Sequence, residues 1–317
     1  MNIFGICVES SHKKGMGHLY RALNLIELIK SKNDKVIAFI NNDKNSIRIL
    51  EKKGKMFEEV ELNDQDSGWE TKLINKYKIN IWINDRLDTH IQHSQNVKKN
   101  KVKLISFDDR GSGADIADIN FGSLPFNFNY DLKGKKVLKG LKYLILNKEI
   151  DKFKRERKKV KQILISFGGS DTYGVTIKIV EILRKRKICA EIILGPCFAH
   201  LGELQEVLTE DYSVIKDVTS LIEQFNKYDL VITGGGITPF EANASGLPCI
   251  IVANEPFEID NGLFLERIGC SVFAGYHENI NQDIFAKKLD VQTMSMKGMD
   301  NIKTDGVENI YREIRLL

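Results

Sequence analysis

Proline is scarce here, 5 residues in 317, which argues against long disordered Pro-rich linkers. No apolar run approaches the roughly 18–20 residues that cross a bilayer, so no integral membrane segment is expected. The apolar start Met1–Val8 has no basic stretch before it and runs at once into charged residues. It therefore reads as a first β-strand and not as a secretory signal. The 5 cysteines, Cys7, Cys189, Cys197, Cys249 and Cys270, form an odd set without Cys-x-x-Cys spacing. A disulfide framework and a zinc site are both disfavoured, and reduced thiols in a cytoplasmic protein are the expectation. His90 and His93 lie three apart with no third ligand nearby, which predicts a surface or helix-face role. Neither a Gly-x-Ser-x-Gly elbow nor a Walker A loop occurs.

What is present is an ordinary globular balance, 42% hydrophobic and 28% charged, with a net charge of +4. The length suits two domains better than one core. Positive charge concentrates in Lys133–Lys161, where only Tyr143 and Phe153 could stack on bases. With no helix-turn-helix or zinc-finger pattern, nucleic acid is not an expected partner. The run reads as a solvated linker or helix face, and peripheral contact with an anionic membrane surface is allowed.

Short apolar runs alternate with helical patterns throughout, which predicts βα units and parallel sheets. Strands are expected at Ile3–Val8, Lys35–Ile40, Ile79–Ile83 and Lys103–Phe107, with a helix over His18–Lys30. A second series follows: strands at Gln162–Phe167, Ala190–Leu194, Leu230–Thr233 and Pro248–Val252. Helices near Thr176–Arg184, Ser220–Lys227 and Pro239–Ser245 separate them. The expected domains are 1–145 and 161–300, joined by a linker at 146–160, with 301–317 a helix returning to the first domain. Each domain should be a doubly wound, Rossmann-like α/β unit that binds ligands at the carboxyl ends of its strands.

The loops expected at those strand ends carry the chemistry. The first, Glu9–Arg21, holds Gly15, Gly17, His18 and Arg21. Tyr20 stands where a dinucleotide fingerprint has its third glycine, and Asn41 and Asn42 precede Asp43 after the second strand, so a conventional NAD site is disfavoured. The glycines permit close approach of a ligand, and His18 at a helix start favours a neutral imidazole able to take a proton. Arg21, one turn on, faces either a phosphate or a neighbouring carboxylate. After Thr233, Gly234-Gly235-Gly236-Ile237-Thr238-Pro239-Phe240-Glu241 exposes successive amides at a helix start, an arrangement suited to a diphosphate. Glu241 is placed to accept both ribose hydroxyls, or merely to complement the helix dipole. Gly168, Gly169 and Ser170 permit a similar approach, while Asp171 either contributes to the site or caps the next helix. Asp108 and Asp109, with Arg110, end another strand, and Asp85 lies in the polar segment Asn84–Asp88. Paired acids can orient a sugar or base, or lie in a solvated turn neutralised by Arg110. With no further acids at ligand spacing, no metal is expected.

In order along the chain, Gly15-x-Gly17-His18-x-x-Arg21, Phe107-Asp108-Asp109, Phe167-Gly168-Gly169-Ser170-Asp171 and Gly234-Gly235-Gly236…Glu241-Ala242…Gly246-Leu247-Pro248 resemble the PseG/SpsG family. That family comprises UDP-sugar hydrolases of pseudaminic acid synthesis and spore coat polysaccharide proteins, and is related to MurG-like glycosyltransferases. The resemblance implies a GT-B fold with a nucleotide-sugar cleft between its two domains, and no cofactor or metal. It also implies that His18 activates water to release UDP and free sugar, and that Glu241 binds ribose. Asp85, Asp108, Asp109, Gly15, Gly17 and Arg21 fall on the sugar side. Gly168, Gly169, Ser170, Gly235, Gly236, Ile237, Thr238 and Glu241 fall on the nucleotide side. The sequence departs from the hydrolase pattern at Val8-Glu9-Ser10, at Asn84–Thr89 and at Asn147, which brings it nearer the SpsG branch. Glycosyl transfer to a hydroxyl acceptor, and sugar-nucleotide binding without catalysis, stand as alternatives.

Overall fold

Apolar strands too buried to leave one face in water require helices on both faces of a parallel sheet, and this chain builds two such sheets. The computed structural model describes residues 1–10, 17–169, 171–216 and 218–317. The chain divides into one unit of Met1–Leu146 with Asp305–Leu317, and a second of Asn147–Thr304.

In the first unit the order is β1 (Ile3–Val8), α1 (Gly17–Ser31), β2 (Lys35–Ile40), α2 (Lys44–Lys52), β3 (Phe57–Glu59), α3 (Trp69–Tyr77), β4 (Ile81–Asp85), α4 (Ile91–Lys99), β5 (Lys103–Phe107), β6 (Ile119–Gly122) and β7 (Val137–Lys139). All neighbours pair parallel in the order β3-β2-β1-β4-β5-β6-β7. The winding reverses between β1 and β4, so the loops leaving these two strands diverge to opposite faces and leave a crevice at their carboxyl ends. Side chains alternate across the sheet. Phe4, Ile6, Val8, Ile81 and Ile83 pack under α1, while Cys7 and Trp82 pack on the other face. Asp85 continues the Ile81–Ile83 row, which aims its carboxylate at the start of α1.

In the second unit the order is β8 (Ile163–Ser166), α5 (Val175–Lys185), β9 (Ala190–Ile193), α6 (Leu201–Val207), β10 (Tyr212–Ile215), α7 (Leu221–Gln224), β11 (Leu230–Thr233), α8 (Thr238–Ala244), β12 (Cys249–Ala253), α9 (Pro256–Arg267), β13 (Ser271–Tyr276) and α10 (Val291–Asn301). Its parallel sheet runs β10-β9-β8-β11-β12-β13, and the winding reverses between β8 and β11. The glycine loops after Ser166 and Thr233 leave those two strands. The last helix, α11 (Gly306–Arg315), lies in the first unit, where Tyr311 stacks on Phe4 at 6.3 Å and bonds Asp34 at 2.7 Å.

The stretch 146–160, expected as a solvated linker, is instead built into the second unit from residue 147 on. Arg157 in it is fully buried and donates to the carbonyls of Arg155 and Phe225 at 2.7 Å, and of Tyr228 and Ser245. Burial lowers its pKa to about 9, with the nearby Arg155 charge adding to the effect. Carbonyl dipoles satisfy the guanidinium where sequence charge alone suggests water.

Candidate functional site

The carboxyl edge of the first sheet holds a chain of buried charges. His18 is the second residue of α1 and keeps 20% of its side chain exposed. Its Nδ1 lies 2.6 Å from Oδ1 of Asp85, which is only 2% exposed. Arg21, one turn on, donates Nε to Asp85 Oδ2 at 2.9 Å, and its two terminal nitrogens reach Asp85 Oδ1 and Asp108 Oδ2. Its guanidinium also lies 5.3 Å from the centre of the Phe107 ring. Asp108 sits at φ +53 and accepts from Ser123 N and Asn127 Nδ2, each at 2.9 Å.

The electrostatics fix the charges of Asp85 and Arg21. Burial alone would raise the Asp85 carboxyl, but Arg21 and His18 outweigh it and hold the pKa at about 2. Burial likewise opposes the Arg21 charge, and Asp85 and Asp108 more than restore it. An ionised carboxylate offers His18 Nδ1 only acceptors, so Nδ1 carries a proton, and in the neutral imidazole the lone pair is on Nε2. Nε2 has no hydrogen-bond partner among the described residues. A base held in one tautomer by a buried carboxylate can take a proton, with the resulting imidazolium stabilised from behind.

Other first-unit residues fall elsewhere. Asp109 does not face outward: fully buried, it accepts from the amides of Thr89 at 3.0 Å and Gly111 at 2.9 Å and so fixes the loop. Burial raises its pKa. Arg110 neutralises neither acid; it donates to Asn127 at 2.7 Å and stacks on Tyr130 at 4.1 Å. His93 is not at the surface. It is 3% exposed, between Glu70 and Asn84 at 2.9 Å each, because α4 turns that face toward the sheet. His90 caps α4, accepting from Gln92 N at 3.2 Å. Gly15 lies outside the described residues, and Gly17 opens α1.

The second sheet's edge is built from backbone. After β8, Gly168 takes φ +74 and Gly169 follows, while Ser170 lies outside the described residues. Asp171 takes the capping role, accepting from Val175 N and Thr176 N at 2.8 Å each. After β11, the Gly235 amide, expected to meet phosphate, instead donates to Glu258 Oε2 at 3.0 Å. The same oxygen accepts from Asn254 N at 2.7 Å, and Asn261 donates to the Gly235 carbonyl at 2.9 Å. A Cβ on Gly235 would stand 2.6 Å from the Glu258 carbonyl oxygen, so only glycine fits. The amides of Gly236, Ile237 and Thr238 have no partner among the described residues, and no side chain caps α8. Glu241 in its first turn is partly buried, also without a partner there, and burial pushes its carboxyl up to about 7.

Glu258 and Asn254 escaped the sequence reading. They lie on the loop and helix after β12, a carboxyl edge like the others, where Pro256 in a first helical turn was the available signal. Among the described residues no group of three or more His, Cys, Asp or Glu is placed to hold a metal. None of their helices is long and apolar enough to cross a membrane.

Comparison with known proteins finds relatives of this chain in sequence and in structure. The spore coat polysaccharide biosynthesis protein SpsG of Bacillus subtilis is 21% identical over 270 residues, 78% of this chain and 76% of that protein. The chain is a distant homologue of SpsG. The protein MJ1062 of Methanocaldococcus jannaschii is 31% identical over 268 residues, 78% of this chain. The chain spans about half the length of MJ1062, since the match covers 54% of it. MurG of Acinetobacter baumannii superimposes with a TM-score of 0.72 at 12% identity, covering 100% of this chain and 99% of that one. Anabaena HepE, solved in complex with UDP, gives 0.69 at 11% identity with both chains fully covered. The fold is GT-B. No protein-family model matches the chain.

Proposed function

We propose that this protein cleaves a UDP-activated aminosugar to free sugar and UDP, in nonulosonic acid or surface polysaccharide synthesis. The observation that carries the reading is the His18–Asp85 pair, with Nδ1 committed and Nε2 left as a base. In the proposed step His18 Nε2 takes a proton from water as the water oxygen bonds to the anomeric carbon. The bond from that carbon to the diphosphate oxygen breaks, and UDP leaves with the electron pair. Asp85 stays ionised and stabilises the imidazolium, and Arg21 keeps Asp85 ionised and in place. Asp108, buried against Arg21, is a positioning residue in this scheme, and Asp109 fixes the loop beside it.

The nucleotide falls to the second unit. The amides of Gly236, Ile237 and Thr238 take the diphosphate, and Glu241 takes the ribose hydroxyls, with Gly168, Gly169 and Ser170 beside them. Glu258 holds the glycine loop open. SpsG's part in spore coat polysaccharide biosynthesis and the UDP bound to HepE support the substrate class. No metal is needed, because amides balance the diphosphate and His18 supplies the base. Turnover should therefore survive a chelator.

A second reading is transfer of the sugar to a hydroxyl acceptor, favoured by the glycosyltransferase fold itself. The same His18 would then deprotonate the acceptor. The test is UDP release from a panel of UDP-aminosugars, followed chromatographically with and without candidate acceptors. Release in water alone is the expected result. Release only with an acceptor would replace hydrolysis by transfer, and tight binding without release would remove catalysis altogether.

A further inference from the structure

A pocket of about 320 Å³ opens at the amino-terminal edge of the second unit's sheet, the edge opposite the Gly168 and Gly234 loops. Its floor is core: Ile163 and Leu230 begin β8 and β11, and Phe285 closes one side. Its rim is cationic. Lys158 and Lys159 come from the segment before β8, and Lys287 and Lys288 from the segment before α10. All four are exposed, and none of their ammonium groups has an ion pair or hydrogen bond among the described residues.

Two acidic groups beside this rim along the chain, Asp229 and Asp290, are already occupied. Asp229 pairs with Arg155 at 2.8 Å and accepts from the amides of Lys161 and Gln162. Asp290 caps α10 through Thr293 N at 3.1 Å. Leu183 and Ile188, which line the pocket, bracket a further cationic run, Arg184-Lys185-Arg186-Lys187. Val160, 39% exposed, and Leu289 complete an apolar lip between the two lysine pairs.

Unpaired lysines around an apolar opening fit an amphiphile with an anionic head, and their spread over two chain segments fits many heads better than one. We propose that this edge docks on an anionic phospholipid bilayer, with the lysines on lipid phosphates and an acyl segment entering the pocket. Neither half suffices alone, since a single buried chain gives marginal binding and a basic patch supplies the second signal. Docking through this edge leaves the carboxyl-edge loops of the same unit clear of the lipid. The inference does not depend on the reaction proposed above.

The test is flotation of the full chain with unilamellar vesicles of phosphatidylcholine alone, or of phosphatidylcholine with phosphatidylglycerol. Binding only to the anionic vesicles, weakened by salt, is expected. Combined Lys158→Glu, Lys159→Glu, Lys287→Glu and Lys288→Glu should lower partitioning roughly a hundredfold or more. Leu289→Ser should lower it about tenfold at unchanged net charge. The lysine variant, whose four side chains are exposed, should keep the parental melting temperature and UDP affinity. Equal binding to both vesicle types, no binding to either, or undiminished binding by the lysine variant would overturn the proposal. Uptake of monomeric dodecyl sulfate without vesicle binding would overturn it as well.

Discussion

The carboxyl edges of the two sheets solve opposite problems. In the first, charged side chains satisfy one another: His18 on Asp85, Arg21 on Asp85 and Asp108, and Asp108 on Ser123 and Asn127. In the second, the amides of Gly236, Ile237 and Thr238 and the carboxylate of Glu241 have no partner among the described residues. A closed network fixes a tautomer and so prepares a reaction, whereas open donors beside an open acceptor prepare a binding event. On the proposed function the contrast is one between chemistry in one unit and nucleotide recognition in the other, and each substitution below strains one side of it.

The largest expected effect is on Asp85. Asp85→Asn frees the imidazole tautomer and leaves the buried Arg21 with one carboxylate fewer. Turnover should fall about a thousandfold or more while UDP affinity stays within a few-fold, as paired titrations and initial rates would show. A loss of UDP affinity equal to the loss of rate would break the division between the units. Next is Gly235→Ala, which pushes a methyl group against the Glu258 backbone. It should cost the second unit about 2 kcal/mol in urea unfolding and weaken UDP binding along with it. Stability and affinity both unchanged would mean that the loop is not held as described.

A smaller effect concerns pH. The Glu241 carboxyl stands at about 7, above its ordinary value of 4.5, so the folded chain holds a proton that the unfolded chain has lost across that window. Stability from this group is present below the lower value and is lost as pH rises through 7. Ribose hydroxyls donate to the ionised form, so binding should run the other way and strengthen as pH rises. Uridine, which has no titrating phosphate, should bind about tenfold tighter at pH 8 than at pH 6, and Glu241→Gln should flatten the curve. A flat curve with the parental protein would remove the ribose role.

Much of the framework was legible because it rests on burial. Ile3–Val8, Lys35–Ile40, Lys103–Phe107 and Leu230–Thr233 are strands with the bounds their apolar runs predict. The short edge strands β3 and β7, three residues each with no fully buried residue, carry no such signal. Helices α3 and α4 escaped because their buried faces use Glu70, His93 and Asn96 where a pattern search expects apolar residues. His18 was legible from the glycine turn before it. Its tie to Asp85 was not, since 67 residues separate them and only the pairing of Val8 with Asp85 brings them together. The same holds for Gly235 and Glu258, joined by a strand order that no local spacing encodes.

The division of labour is tested most directly by measuring rate and UDP affinity together in His18→Ala and Glu241→Ala, with the substrate UDP-sugar in both assays. The account predicts that His18→Ala loses at least a hundredfold in kcat at unchanged UDP affinity, and that Glu241→Ala loses at least tenfold in UDP affinity at nearly unchanged kcat. Full turnover in His18→Ala, or undiminished UDP binding in Glu241→Ala, would contradict it.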